Sequence, residues 1–261
     1  MTNQNLSVHY VAFTHSGKQH HQNQDAILLP EGVQQQAGSW QKQLTLDSRL
    51  RFAIADGAGG LPSADKASRS LLQALVQLDI DKPDLAPRSR LLPLHHRFSN
   101  ACKQNKALTN AGATLITAEI APDGQIALWH AGDSRGYHLK ADGLHRLTED
   151  HTLAYTLKRG SRSVKVGKGN SGYSLGEALD NLFIYAPEAS EPDYIGLQWL
   201  RLLPGEVLLL VSDGVTLHLS DADLAACLSD EDLATKVHQV FEAVMNAGAE
   251  DNLSVIAIAL N

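Results

Sequence analysis

The chain has 261 residues, of which 43% are apolar and 20% charged, and a formal net charge of -7. That is core material for one large domain or two small ones, and the acidic balance argues against a general nucleic-acid or anionic-membrane binder, because both need clustered cations. No apolar run approaches the roughly 18 residues of a membrane span, the opening MTNQNLSVHY lacks the basic and apolar regions of a secretion signal, and the widely separated Cys102 and Cys227 point to buried free thiols in a cytoplasmic protein rather than a disulfide or zinc site.

In chain order, VHYVAF (8–13), DAILLP (25–30) and RFAIAD (51–56) are short apolar runs that read as strands, with the polar, Gly- and Gln-rich GVQQQAGSWQKQ (32–43) as a loop between the last two. Helical spacing takes over at 63–80, with Ser63 as N-cap and Ala64, Ala67, Leu71, Leu75 and Leu78 on one face. A second helical stretch lies near 88–107, after the break DKPDLAP. ATLITAEI (113–120), QIALWHAG (125–132), RGYHLK (135–140) and GLHRLT (143–148) then read as an antiparallel meander turning at Pro122-Asp123-Gly124, Gly132-Asp133-Ser134 and Ala141-Asp142-Gly143. Residues 158–176, KRGSRSVKVGKGNSGYSLG, read as a flexible loop with five cations between Lys158 and Lys168. Strands return at 196–202 and 206–213, a helix at 231–247 and a last strand at 251–260. Strands grouped before and after pairs of helices favour an α+β antiparallel architecture, and the lack of a clean linker favours one domain.

Carboxylates stand at the borders of these strands. Asp56 ends one in FAIADGAGG and Asp213 ends another in LLLVSDG; Asp25 opens one in NQDAILL and Asp251 opens the last in EDNLSV; Asp133 lies in the turn HAGDSRG. A charged group at the edge of a core is costly unless it is paired or binds a metal, and glycine lets backbone approach a ligand closely. If the strand ends converge, the acids repel one another unless a multivalent cation lies among them. Oxygen donors without Cys or clustered His select Mg2+ or Mn2+.

The ordered set NQDA, ADGAGG, GAT, AGDSRGYHL, LTEDHT, LLLVSDGV and EDNLSVI, spanning about residues 8–260, resembles the metal-dependent Ser/Thr protein phosphatases of the 2C type. The resemblance implies a four-layer α-β-β-α sandwich of two antiparallel sheets flanked by helices, in one domain covering 1–261 with a mobile basic flap at about 158–190. It implies two Mn2+ or Mg2+ ions, with a third in some bacterial members. Asp56 would bridge both ions, Gly57 would offer its carbonyl, and Asp213 and Asp251 would complete the first site; these three acids would act through water activated by the metals. Asp133 would help the third ion, Asp25 and Gln24 would hold water or touch the second, Asn252 would brace Asp251 and the 213–214 turn, and Thr114 would support the site from behind. The implied reaction is in-line hydrolysis of phosphoserine or phosphothreonine in proteins, opposing a Ser/Thr kinase, with no nucleic-acid or membrane partner. The alternative is a phosphatase-like binding or regulatory module with weak or no turnover.

The sequence departs from the family pattern in places. His20 stands where an Arg grips the substrate phosphate, and imidazole is a poor substitute for a bidentate guanidinium. Gln24 replaces a Glu, removing a charge near the second ion. Ala58 follows Asp56-Gly57, so no titrating side chain is there to protonate the leaving group; His151 in EDHT is assigned to capping the segment after it. Arg159 and Arg162 in the basic stretch are candidates to replace the missing phosphate grip.

Overall fold

The computed structural model describes residues 6–58, 61, 63–79, 87–152, 179, 181–185 and 195–261, with side chains from 91 onward in the second helix. Two six-stranded sheets dominate. The first has the order β10(Gly143–Arg146), β9(Arg135–Lys140), β13(Val207–Val211), β14(Leu253–Leu260), β1(Ser7–His15), β4(Gly38–Thr45). The second has the order β12(Gly196–Arg201), β8(Gln125–Ala131), β7(Leu115–Ile120), β5(Leu50–Asp56), β2(Asp25–Leu29), β3(Gly32–Gln34). A short ribbon pairs β6(Gly112–Ala113) with β11(Phe183–Ile184), and every described strand pair is antiparallel.

Alternation along the strands builds the layers. Phe52 and Ile54 of β5 join Tyr10, Ile27, Ile116, Leu208 and Ile256 between the two sheets. Ala53 and Ala55, facing the other way, pack on α1(Ala64–Val76) and α2(Pro87–Lys103) through Leu71, Leu75, Leu94 and Phe98. On the far side Val11, Phe13, Leu209 and Val255 meet three more helices, α3(Asp213–Thr216), α4(Asp221–Cys227) and α5(Leu233–Ala247), through Val215, Leu224, Val237, Val240 and Val244. The result is the expected α-β-β-α sandwich.

Three local readings need correction. The stretch 32–43 is not a loop: it holds β3 and most of β4, and β4 pairs along β1. Its polar composition reflects an edge strand with a solvated face, while Trp40 and Leu44 turn inward onto the inter-sheet core. The meander at 113–148 is split, because β8 belongs to the second sheet and β9 to the first. The turn between them is a crossover at Gly132, whose φ of +115° and a would-be Cβ only 2.5 Å from Thr114 Cβ leave room for no side chain. Ser63 precedes α1 but caps nothing with its hydroxyl, since the chain enters the helix through a left-handed residue with φ 53°. Both cysteines are free, Cys102 buried and Cys227 half-buried. No helix among the described residues is long and apolar enough to cross a membrane.

Candidate active site

Five segments deliver carboxylates to one end of the sandwich. Asp25 opens β2 and Asp56 closes β5, and the two are direct cross-strand partners. Asp133 lies in the crossover after β8, Asp213 begins α3 just beyond β13, and Asp251 precedes β14. Asp213, Asp25 and Asp133 all act on Asp56; Asp251 acts on both Asp25 and Asp213; and Asp213 acts on Asp133. Residues scattered over more than two hundred positions therefore share one electrostatic neighbourhood.

The physical consequence is charge suppression. Burial is the first cause of every shift, and the neighbouring carboxylates add to it. Asp56 is held well above the usual carboxylate range, and Asp133 is pushed up to about 8. Asp25 and Asp213 rise to about 6, with Asp25 restrained by hydrogen bonds from Ser254 and Ser212. After burial, the charge of Asp213 is the largest influence on Asp56. Among the described residues no three His, Cys, Asp or Glu side chains form a ready-made cation site. Asp213 links the three predicted metal acids: it acts on Asp56, and Asp251 acts on it.

Each acid has its own support. Asp25 Oδ2 accepts from Ser212 Oγ and Ser254 Oγ, both at 2.7 Å, while Asp25 Oδ1 is buried with no hydroxyl or amide donor. Thr114 ties the Asp56 strand end in place: its backbone N–H donates to Asp56 O at 2.8 Å and its hydroxyl accepts from Asp56 N at 3.2 Å and meets Ser134 Oγ at 3.0 Å. Asp133 Oδ1 is buried and also without a partner. Gly57 N donates to Gln24 O at 3.1 Å, so Gln24 contributes through its backbone. Asn252 binds the loop before β2: its Oδ1 accepts from Gln24 N at 2.7 Å and its Nδ2 donates to Ser16 O at 2.8 Å and Gln22 O at 3.2 Å. The Asn252 backbone N–H donates to Asp251 Oδ1 at 2.7 Å. Gly214 packs so closely that a Cβ would sit 1.9 Å from the Asn252 carbonyl oxygen.

His20, on that loop, stands with Nε2 3.5 Å from Asp251 Oδ1 and is well exposed, at the rim of the cluster. Arg159, Arg162 and the rest of the basic stretch 158–168 lie outside the described residues, as does the segment directly after Thr152. His151 has a different visible task. Its Nδ1 accepts from Gly132 N at 3.2 Å and meets Asn181 Nδ2 at 2.8 Å, and its ring stacks on His130 at 4.5 Å. Burial, followed by the charge of His130, lowers its pKa to about 3. It is a neutral post under the turn that carries Asp133.

Ser212, Ser254 and Ser134 escape a reading based on charged residues. Their one signal is a small polar side chain inside an apolar strand run beside an acid, as in LLLVSD and DNLSVIAIAL.

Comparison with known proteins agrees with this arrangement. The family described as Protein phosphatase 2C matches residues 10–156, more than half the chain. The serine/threonine protein phosphatase PstP of Mycobacterium tuberculosis is 29% identical over 212 residues, covering 78% of this chain; the chain spans only 39% of that relative's length. The serine/threonine phosphatase stp of Listeria innocua is 25% identical over 224 residues, 82% of this chain and 86% of the relative. The crystal structure of the PstP catalytic domain in complex with two manganese ions superposes with a TM-score of 0.68 at 25% identity, over 98% of this chain and 99% of that one. The sandwich and the matched family agree, and the chain belongs to the protein phosphatase 2C family.

Proposed function

We propose that the chain is a metal-dependent phosphatase that hydrolyses phosphoserine and phosphothreonine in proteins and opposes a Ser/Thr protein kinase. One observation carries this reading: carboxyls from five segments crowd together at the sheet ends, and two of them, Asp25 and Asp133, keep a buried oxygen without any hydroxyl or amide donor. A fold has no stability reason to gather carboxyls that repel one another at the edge of its core. An all-oxygen donor set fits Mg2+ or Mn2+.

The residues that would hold two such ions are Asp56, the Gly57 carbonyl, Asp213 and Asp251, with Asp25 beside the second and Asp133 toward a third. When bound, the ions supply charge neutralisation for the phosphate oxygens and a nucleophilic water at neutral pH. The chain's own part is to orient them: Thr114 and Ser134 brace the Asp56 strand end, and Asn252 holds the loop that carries His20 and Gln24 against Asp251. His20 donates to the substrate phosphate at the rim, with Arg159 and Arg162 as further phosphate contacts. The low pKa of His151 speaks against it as the acid, so water protonates the leaving alkoxide. We read residues 1–261 as one domain in the cytoplasm, consistent with two free thiols and with cores shared between both sheets and their helices.

The test is turnover of a phosphothreonine peptide and of p-nitrophenyl phosphate with Mn2+, with and without EDTA, using Asp213→Asn as control. Metal-dependent hydrolysis lost in the variant is the expected result; EDTA-insensitive hydrolysis would refute the proposal. The contact of His20 with Asp251, where the family has a phosphate-gripping Arg, favours a second reading: a phosphopeptide-binding module with little turnover. Phosphopeptide binding by calorimetry without any hydrolysis would select it.

A further inference from the structure

Ser212 and Ser254 are completely buried at the site end of β13 and β14, in runs that are otherwise apolar. A serine in such a place needs a partner for its hydroxyl. Both choose the same atom, Asp25 Oδ2, each at 2.7 Å, although Asp25 belongs to the opposite sheet. The rest of the network is closed. Ser212 Oγ accepts from Ser254 N at 2.9 Å, Ser254 Oγ meets Thr14 Oγ1 at 2.7 Å, and Thr14 Oγ1 accepts from Asn23 Nδ2 at 2.7 Å. With Ser254 donating to Asp25, donors and acceptors fall in one direction, Asn23 to Thr14 to Ser254 to Asp25. The remaining oxygen, Asp25 Oδ1, is buried without a hydroxyl or amide donor, and the side chains acting on Asp25 from the site are Asp56 and Asp251.

We infer that Ser212 and Ser254 are positioning residues that set the plane of the Asp25 carboxylate, so that one oxygen is saturated and the other is presented to a divalent cation. The inference rests on the proposed metal-dependent reading and adds which oxygen of Asp25 serves it and what holds that oxygen there. Two donors on one oxygen fix the plane as one donor cannot, because a carboxylate with a single hydrogen bond still swings about its Cβ–Cγ bond. A strut that only joined the two sheets would need the hydroxyls but not the bare Oδ1.

The test is Mn2+ titration by calorimetry on the wild-type protein, Ser212→Ala, Ser254→Ala, the double variant and Asp25→Asn, alongside the melting temperature without metal. Loss of outer partners of a ligand weakens metal binding about 10–100-fold. The double variant is expected to lose about tenfold or more at one class of site while the other class is unchanged, and Ser254→Thr, which keeps the hydroxyl, restores it. Asp25→Asn keeps an oxygen for both serines and is expected to lose the same class of site, which makes it the second probe if the alanine variants fold poorly. Wild-type binding with an unaltered titration in the double variant or in Asp25→Asn overturns the inference and leaves the phosphatase reading standing. Wild-type protein that binds no Mn2+ overturns both.

Discussion

Strand β5 carries a charge at each end, and the two ends are built in opposite ways. At one end Arg51 is buried and fully answered. Its Nε and Nη2 reach Glu119 Oε1 at 2.8 and 2.7 Å, and its Nη1 donates to the Leu75 carbonyl at the end of α1 at 2.6 Å. At the other end Asp56 meets Asp25, Asp133 and Asp213 and no cationic side chain among its chief influences. The same strand, in the same layers, thus holds one satisfied ion pair and one carboxyl crowded by like charges. A fold solves the problem of buried charge where it is free to do so, and the end where it is left unsolved marks the site.

The contrast can be broken from either side. The largest effect is expected at the paired end. Glu119→Ala leaves the Arg51 guanidinium buried and alone, which costs about 3–5 kcal/mol, read from urea unfolding; an undisturbed midpoint would show the pair to be dispensable. At the acidic end the sign reverses. Asp213→Asn should lower metal-dependent phosphomonoester hydrolysis about a hundredfold or more, yet raise the stability of the ion-free protein by about 1 kcal/mol, because it removes a repelling charge. Calorimetry without metal checks the second half, and a drop in melting temperature would contradict it.

Divalent ions should close part of the gap between the two ends. Mn2+ at a hundred times its dissociation constant should stabilise the wild-type protein by about 2.7 kcal/mol, reversibly with EDTA, and Asp213→Asn by much less. Thermal melts with and without metal measure this directly.

A smaller effect concerns pH. Asp133 has its pKa raised by burial from 3.8 to about 8 in the folded chain. Its contribution is therefore fully present below about 3.8 and is lost as pH rises toward 8, at most about 1.4 kcal/mol per pH unit. His151 runs the other way: burial lowers its pKa from 6.5 to about 3, so its contribution is present above 6.5 and is lost as pH falls toward 3. Ion-free wild-type protein should lose stability relative to Asp133→Asn as pH climbs from 5 to 8. Parallel urea midpoints for the two proteins across that range would mean that the carboxyl is not protonated in the fold.

Much of this molecule is legible before it is folded. The short apolar runs of β1, β2, β5, β7 and β14 declare themselves by composition and the helical faces of α1 and α5 by period, and an Asp at the border of an apolar run, followed by Gly or Asn, singles out Asp56, Asp213 and Asp251. The stretch 32–43 is illegible because an edge strand with one solvated face looks like a polar loop. The break between β8 and β9 is illegible because a hairpin turn and a crossover both call for Gly-Asp-Ser. The serines on Asp25 and the histidine beneath Gly132 carry no local mark that separates them from ordinary strand and loop residues, since their partners lie 187, 229 and 19 positions away.

The amino-acid order alone determined the apolar strands, the long helices and where acids meet strand ends, because these depend on spacing between near neighbours. Only the tertiary structure decided which sheet each strand joins, that burial and neighbouring acids raise the pKa of Asp25, Asp56, Asp133 and Asp213, and which oxygen of Asp25 is left bare. Those properties arise from distances across space between residues far apart in the chain, and charge repulsion and hydrogen bonding act on such distances without regard to sequence separation.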